Sequence, residues 1–208
     1  MFRHYLKTLL VATLSTALWG CQLLETTPIV ENNRLNAPNN QSQLQHLSNW
    51  TILGKIGITQ GSKRDTAAIN YWHQKGDHYD IQVSSTLLGL GATVIQGDPD
   101  YLTIEAAGEE PVSSSNPQQL LIESVGWQLP LGAMPYWVKG IPSPDSPYTW
   151  QQEHQSQELL LLQSDWTIRY DRLEPLSTEP EAPYLPRKIV MTQGNKEIKI
   201  VVNEWIAE

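Results

Sequence analysis

One cysteine in 208 residues has no intramolecular partner, so no disulfide braces the fold. Nowhere does an apolar run reach the roughly 20 residues a membrane-spanning helix needs. No Gly-x-Ser-x-Gly elbow occurs, which leaves a serine hydrolase of that type without support. A Walker-type glycine loop is missing too, as is any Cys/His cluster with metal-ligand spacing. No cofactor, metal or catalytic residue is therefore expected. Basic residues are also few, 14 against 22 acidic, for a formal charge of −8. That balance argues against nucleic acid or anionic headgroups as main partners, because both require a basic face.

What is present begins with an export signal over residues 1–20, where Arg3, His4 and Lys7 precede a short apolar stretch from Leu9 to Leu18. It ends in Leu18-Trp19-Gly20-Cys21, which resembles the lipobox of bacterial lipoproteins, with Trp19 in a slot usually held by a small residue. That resemblance implies cleavage before Cys21 and lipid on its thiol and amine. More than one long chain gives stable anchoring at about 0.8 kcal/mol per buried methylene. Gln22 follows where an Asp would, in the enteric sorting pattern, imply retention in the inner membrane, so the outer membrane is expected. Cleavage removes two basic residues and no acidic one, leaving 12 against 22 and a charge of −10. Residues 21–45, rich in Asn, Gln, Thr and Pro, read as a lipidated N-terminus and flexible tether, and residues 46–208 as one domain.

From Leu47 onward, period-two patterning dominates. Residues 49–60, 66–74, 79–84, 92–97 and 101–106 read as strands joined by short turns such as Lys75-Gly76-Asp77. A second group covers 148–155, 158–163, 166–172, 187–193 and 197–205. Between the groups, Asn116 reads as an N-cap, Pro117 as the first helical residue and Gln119 as closing the cap, followed by the apolar face of Leu120, Leu121, Ile122 and Val125. A second short helix is expected over 131–139, stopped by Gly140 and the prolines beyond. The simplest packing is a mainly β fold: one curved antiparallel half-barrel of roughly ten strands, its concave face covered by the two helices. A ligand cavity is plausible in such a shell.

Several segments together resemble the LolB family, outer-membrane acceptors for lipoproteins. They are the lipobox, WTILGKIGI at 50–58, YWHQ at 71–74, residues 79–89, GWQLPLGAMPYWVK at 126–139 with Gly140-Ile141-Pro142, DWTIRY at 165–170, LPRK at 185–188, and Ile198-Lys199-Ile200 running to Trp205. The resemblance implies a LolA/LolB-like half-barrel with an apolar interior. It also implies a periplasm-facing, outer-membrane-anchored protein, most simply a monomer, that takes cargo lipoproteins from a soluble LolA-like periplasmic carrier. Delivery would be to the inner leaflet of the outer membrane.

An acyl cavity of this kind would be lined by inward positions of the sheet and helices; alternation selects Ile52, Ile56, Ile69, Leu121, Val125, Leu129, Trp137 and Val138. Each is equally well an ordinary core residue. The stretch Ser84-Ser85-Thr86-Leu87-Leu88-Gly89-Leu90-Gly91 puts three leucines where a turn would be polar. By the family pattern Leu88, before Gly89, matches an exposed membrane-entering residue; Leu87 stands where the family usually has Pro, so Leu87 and Leu90 are the alternatives.

Elsewhere His73 and His78 flank a turn and read as solvated. Asp98 and Asp100 around Pro99, and Glu109-Glu110 before Pro111, have the spacing of exposed turns rather than of an acid/base pair. Most tryptophans read as core, with Trp137 set apart by its place on the covering helix. Two other functions compete: an anchored envelope hydrolase, for which no nucleophile and base are evident, and an assembly lipoprotein that uses the sheet only for docking.

Overall fold

The computed structural model describes residues 34–85, 91–144, 146–152 and 158–207. After a first helix α1 (Pro38–His46), the chain forms six strands: β1 (Asn49–Gln60), β2 (Lys63–Lys75), β3 (His78–Ser85), β4 (Gly91–Gly97), β5 (Leu102–Ala106) and β6 (Val112–Ser114). Helices α2 (Pro117–Val125) and α3 (Met134–Lys139) follow, then β7 (Tyr148–Gln152), β8 (Leu159–Gln163), β9 (Trp166–Pro175), β10 (Tyr184–Gln193) and β11 (Lys196–Ala207). All eleven strands make one open antiparallel sheet in the order β6-β5-β4-β3-β2-β1-β11-β10-β9-β8-β7.

Each wing of this sheet is a meander of hairpins, and the two wings meet at the long β1–β11 pairing. The edge strands β6 and β7 are consecutive in sequence. The segment between them must therefore cross one face of the sheet, and it carries α2 and α3. Inward residues of both wings, such as Ile69 and Ile104 on one and Leu161 and Ile168 on the other, fall in a single apolar cluster. A sheet this wide reaches one cluster from both wings only by curling around it.

Beside β1, strict alternation fails on both neighbouring strands, for one reason. On β2, Ile69 and Trp72 are both buried although three residues apart, and on β11 so are Val202 and Trp205. The pairing registers shift at both sites, opposite Ile52 to Gly54 of β1, so each neighbouring strand holds one extra residue there. Such bulges bend and twist a strand, and two flanking one position help the sheet curl. The bulged backbone of β11 also presses against β1: a Cβ on Gly54 would lie 2.1 Å from the Val201 carbonyl oxygen. Only glycine fits there.

The helices follow their local signals. The Asn116 side chain accepts the Gln119 N–H at 3.3 Å, Pro117 occupies the first turn and Gly126 closes α2 in the left-handed region. The Gln119 side chain turns forward to Glu123 at 2.6 Å instead of back to the cap. In α3 the regular helix starts only at Met134, because Ala133 and Met134 both bond back to Pro130 in a turn. A further strand, β6, is three residues long.

The tether expected as far as residue 45 is corrected at its end. Its last stretch is α1, which starts with a proline and buries Leu44, while Leu35 just before it is also buried. Asn40 exchanges hydrogen bonds with the Tyr184 backbone at 2.7 and 3.2 Å, in effect extending β10 by one partner. Gln41 donates to the carbonyls of Leu35 and Gly140, both at 2.8 Å. Lys139, only 5 % exposed, donates to the carbonyls of Leu44 and Leu47 at 3.1 and 2.8 Å and so ties α3 to the end of α1. Those last carbonyls of a helix otherwise lack partners.

Two outcomes follow for stability. Gly54→Ala is expected to cost at least about 2 kcal/mol in chemical denaturation, because backbone must move. Gly57→Ala on the same strand, whose added carbon meets nothing nearer than 4.0 Å, should be close to neutral. Burial lowers the Lys139 ammonium to about 8 from its ordinary 10.5. Between pH 8 and 10 the unfolded chain then binds more protons than the folded one, so stability rises with pH in that window. Wild type should gain on Lys139→Met between pH 8 and 10 in paired unfolding curves; a constant or shrinking difference would mean the ammonium is not desolvated.

Candidate acyl-binding cavity

The sheet has two rims. The first carries the start of β1, the β2–β3 and β4–β5 turns and the start of β10; the second carries the β1–β2 and β10–β11 turns and the end of β3. Helix α2 leaves β6 at the first rim and runs toward the second, where the Lys63 Nζ of β2 donates to the Val125 carbonyl at 3.1 Å. The chain then turns back, and α3 ends beside the start of β1.

Under α2 the interior is not full. A cavity of about 100 Å³ lies between that helix, the connection to α3 and the β1–β4 wing. Its floor is Ile56 and Ile58 of β1, Ala67, Ile69 and Trp72 of β2, Tyr79, Ile81 and Val83 of β3, and Ile95 of β4. Its roof is Leu121 and Val125 of α2, then Trp127, Leu129, Leu131, Met134 and Pro135. Apart from Asp65, Thr66 and the Tyr79 hydroxyl, the lining side chains are apolar, so the void offers dispersion contacts and few hydrogen bonds.

Of the eight positions selected from alternation, Ile56, Ile69, Leu121, Val125 and Leu129 face this cavity. Ile52, Trp137 and Val138 do not; all three are fully buried in the filled part of the core. Alternation chose the correct side of β1 but says nothing of height, and Ile52 sits near the first rim, opposite Trp72 and Trp205. Trp137 packs 6.0 Å from Trp166 and donates its indole N–H to Gln163 at 2.8 Å, on the β7–β11 side. Trp50, Trp72 and Trp205 form a second filled cluster, with ring centroids 5.3 and 5.4 Å apart. The β3 and β4 contributions, Tyr79, Ile81, Val83 and Ile95, went unselected although the alternation of 79–83 was visible.

The roof is fastened at the second rim by polar contacts. Lys63 lies 4.3 Å over the Trp127 ring besides its bond to Val125, and Lys196 donates to Gln128 at 2.6 Å. The two hydrogen bonds are exposed, where each polar pair contributes on the order of 1 kcal/mol or less, whereas the Trp127 ring is itself buried. At the first rim, Asp98 caps its own turn, accepting the N–H of Asp100 at 2.8 Å and of Tyr101 at 2.9 Å, and its other oxygen lies 3.7 Å from His78. His73 is bonded to Thr51 at 2.6 Å. Among the described residues no group of three or more His, Cys, Asp or Glu is placed to hold a metal ion. Cys21, with the signal before it, and the leucines Leu87, Leu88 and Leu90 lie outside the described residues.

Comparison with known proteins places this architecture. Residues 48–205 match the family described as outer membrane lipoprotein LolB. The chain is 34% identical over 202 residues to the outer-membrane lipoprotein LolB of Marinobacter nauticus, covering 95% of this chain and 96% of that one. It is 31% identical over 203 residues to the protein of the same name from Chromohalobacter salexigens, covering 98% and 90%. A LolA superfamily protein from Nitrosomonas europaea aligns in structure at a TM-score of 0.47 and 10% identity, over 86% of this chain and 92% of that one. By the family match and by identity over nearly its whole length, the chain belongs to the LolB family of outer-membrane lipoproteins.

Proposed function

We propose that this protein, anchored in the outer membrane through Cys21, accepts lipoproteins from a soluble periplasmic carrier. It then passes them to the inner leaflet of that membrane, without covalent chemistry. The observation that carries the reading is the unfilled apolar cavity beneath α2 in a chain of the LolB family. The physical need is clear from magnitudes. A chain of about 15 methylenes costs on the order of 12 kcal/mol in water, at roughly 0.8 kcal/mol each, so transit between membranes requires a dry enclosure.

A void of about 100 Å³ shelters only a small part of one acyl chain, since one water alone takes ~30 Å³ of liquid. Loading therefore requires the roof to rise. Helix α2 and the segment 126–133 are the elements to move, because their hydrogen bonds at the second rim are exposed while α3 is fixed through Lys139 and Trp137. An apolar, directionless wall also releases its load to a membrane of similar affinity, so cargo moves down an affinity gradient with no nucleotide consumed.

The end of β3 and the start of β4, which residues 86–90 connect in sequence, lie at the second rim with the lining residues Ile58, Asp65 and Val83. In this reading Leu88 there makes the membrane contact, with Leu87 and Leu90 as alternatives. Burial of one leucine contributes about 1.5–3 kcal/mol, enough for a transient encounter and too little for a lasting one.

With the chain from residue 21 onward bearing Cys21→Ala, a fluorescent fatty-acid probe is expected to bind saturably and one to one. Ala67→Leu, which fills part of the void, should weaken that binding at least about fivefold while keeping or raising the denaturation midpoint. No uptake by the parent protein would leave the sheet as a docking surface and end the cavity reading. Leu88→Glu should leave loading from the carrier intact and abolish transfer to liposomes; transfer at the parental rate would remove Leu88 from the mechanism.

A further inference from the structure

Next to the apolar cavity, toward the first rim, lies a second pocket of about 280 Å³. It is bounded by the start of β1, the β2–β3 and β4–β5 turns and the face of α3 that carries Pro135, Tyr136 and Lys139. Tyr79, Leu131 and Pro135 line both spaces, so these three side chains stand between them. Unlike its neighbour, this pocket carries many polar groups in its wall, among them Gln45, Ser48, Gln74, Asp77 and Lys139.

Among its buried side chains, Gln74, Tyr79 and Lys139, the hydrogen-bonding capacity is lopsided, while the exposed Asp77 and half-buried Asp98 keep acceptor carboxylate oxygens at the turns. The Gln74 carbonyl oxygen already accepts the Trp72 indole N–H at 3.0 Å, and its amide donates to the Gly76 carbonyl at 2.8 Å. One oxygen of Asp98 is taken by two backbone N–H groups. Donors, by contrast, are to spare. The Tyr79 hydroxyl is buried without a partner, on a side chain 8 % exposed. Lys139 uses two hydrogen bonds of the three an ammonium can donate, and among the described residues no carboxylate lies within ion-pair distance of it. An unmet buried donor is costly, and a ligand acceptor relieves that cost. Two carboxylates at the pocket, Asp77 and Asp98, disfavour a phosphate. A neutral ligand rich in acceptors and continuous with hydrocarbon satisfies all of these conditions.

We propose that this pocket receives the polar linkage of an acylated ligand, its ester and amide carbonyls, with the Tyr79 hydroxyl and the Lys139 ammonium as donors, while the hydrocarbon runs past Tyr79 into the apolar cavity. The inference rests on the reading of that cavity as an acyl site. It adds a direction: the linkage lies at the first rim, and the chain ends point toward the second, where β3 ends and β4 begins. Burial and the nearby Asp98 carboxylate push the Tyr79 hydroxyl up to about 12, so it remains a donor throughout the periplasmic pH range.

The test uses the chain from residue 21 with Cys21→Ala and three probes. They are a dipalmitoylglyceryl-cysteinyl peptide with ester links, the same peptide with ether links, and a pyrene-labelled alkane lacking any carbonyl. The parent protein should bind the ester form about five- to tenfold more tightly than the ether form, the range expected for one or two net hydrogen bonds. Tyr79→Phe should bring that ratio to about twofold or less. The ratio is measured within each protein, so a general change in hydrocarbon affinity cancels. A ratio near one in the parent, or a ratio unchanged by Tyr79→Phe, overturns the linkage site while leaving the cavity standing. Failure of the parent to take up even the alkane removes both.

Discussion

The two edges of the open sheet are consecutive in sequence, and most of the architecture follows from that connection. Eleven strands laid side by side present one broad apolar face, and water cannot be allowed to cover it. The chain that leaves β6 at one edge must arrive at β7 on the other, and the short route lies across that face. Because this crossing segment is only a few turns of helix and a proline-rich connection, it cannot fill the whole trough. On the β7–β11 side Trp137 packs against Trp166 and Gln163, whereas the β1–β4 side keeps an apolar void under α2. The cavity is thus a by-product of a short roof on a wide sheet.

Packing and opening are separated in the same way. The aromatic groups, Trp50 with Trp72 and Trp205, and Trp137 with Trp166, are held by the strands and α3, and of these rings Trp72 alone also borders the cavity under α2. Each large aromatic removes 150–250 Å² from water, which gives the domain a core that survives displacement of its lid. At the first rim, α1 joins the start of β10 through Asn40 and the end of α3 through Lys139, keeping one side of the roof fixed. Along the second rim Lys63 and Lys196 add polar contacts to the burial of Leu121 and Trp127. Under the proposed function, a roof fixed at the first rim would open from the second.

Much of this was legible in the sequence, and the exceptions have physical causes. Regular alternation marked the strands because one face of an antiparallel sheet is buried and the other wet. Asn116, Pro117 and Gly126 marked α2 because the orphan groups of helix ends demand those residues. Helix α1 was hidden, since eight of its nine residues are polar or proline and its anchoring depends on Asn40 and Leu44 meeting elements 90 or more residues away. The bulges were equally hidden. Ile69 with Trp72, and Val202 with Trp205, break the period only by a single residue, and that break makes sense once Gly54 is seen pressed against Val201. Periodicity assigns a side of the sheet, not a height along it. Hence Ile56 and Ile69 face the void while Ile52, on the same side of β1, does not.

Under the function proposed above, a relay for acylated cargo must bind hydrocarbon without keeping it, and a small apolar void would meet that demand through what it leaves undone. A cavity matched to a full acyl chain would gain most of the ~12 kcal/mol that its burial offers and would release it slowly. A small void that enlarges only by lifting α2 gives part of that gain back, because the latch at the second rim must break and its groups must be resolvated. Net affinity is then set by the difference between hydrocarbon burial and roof opening. That difference is tunable at Lys63 and Lys196 without altering the lining. A bilayer imposes no such opening cost, so the same chain is always better sheltered there, and the balance drives transfer in one direction with no energy source beyond the two burial free energies.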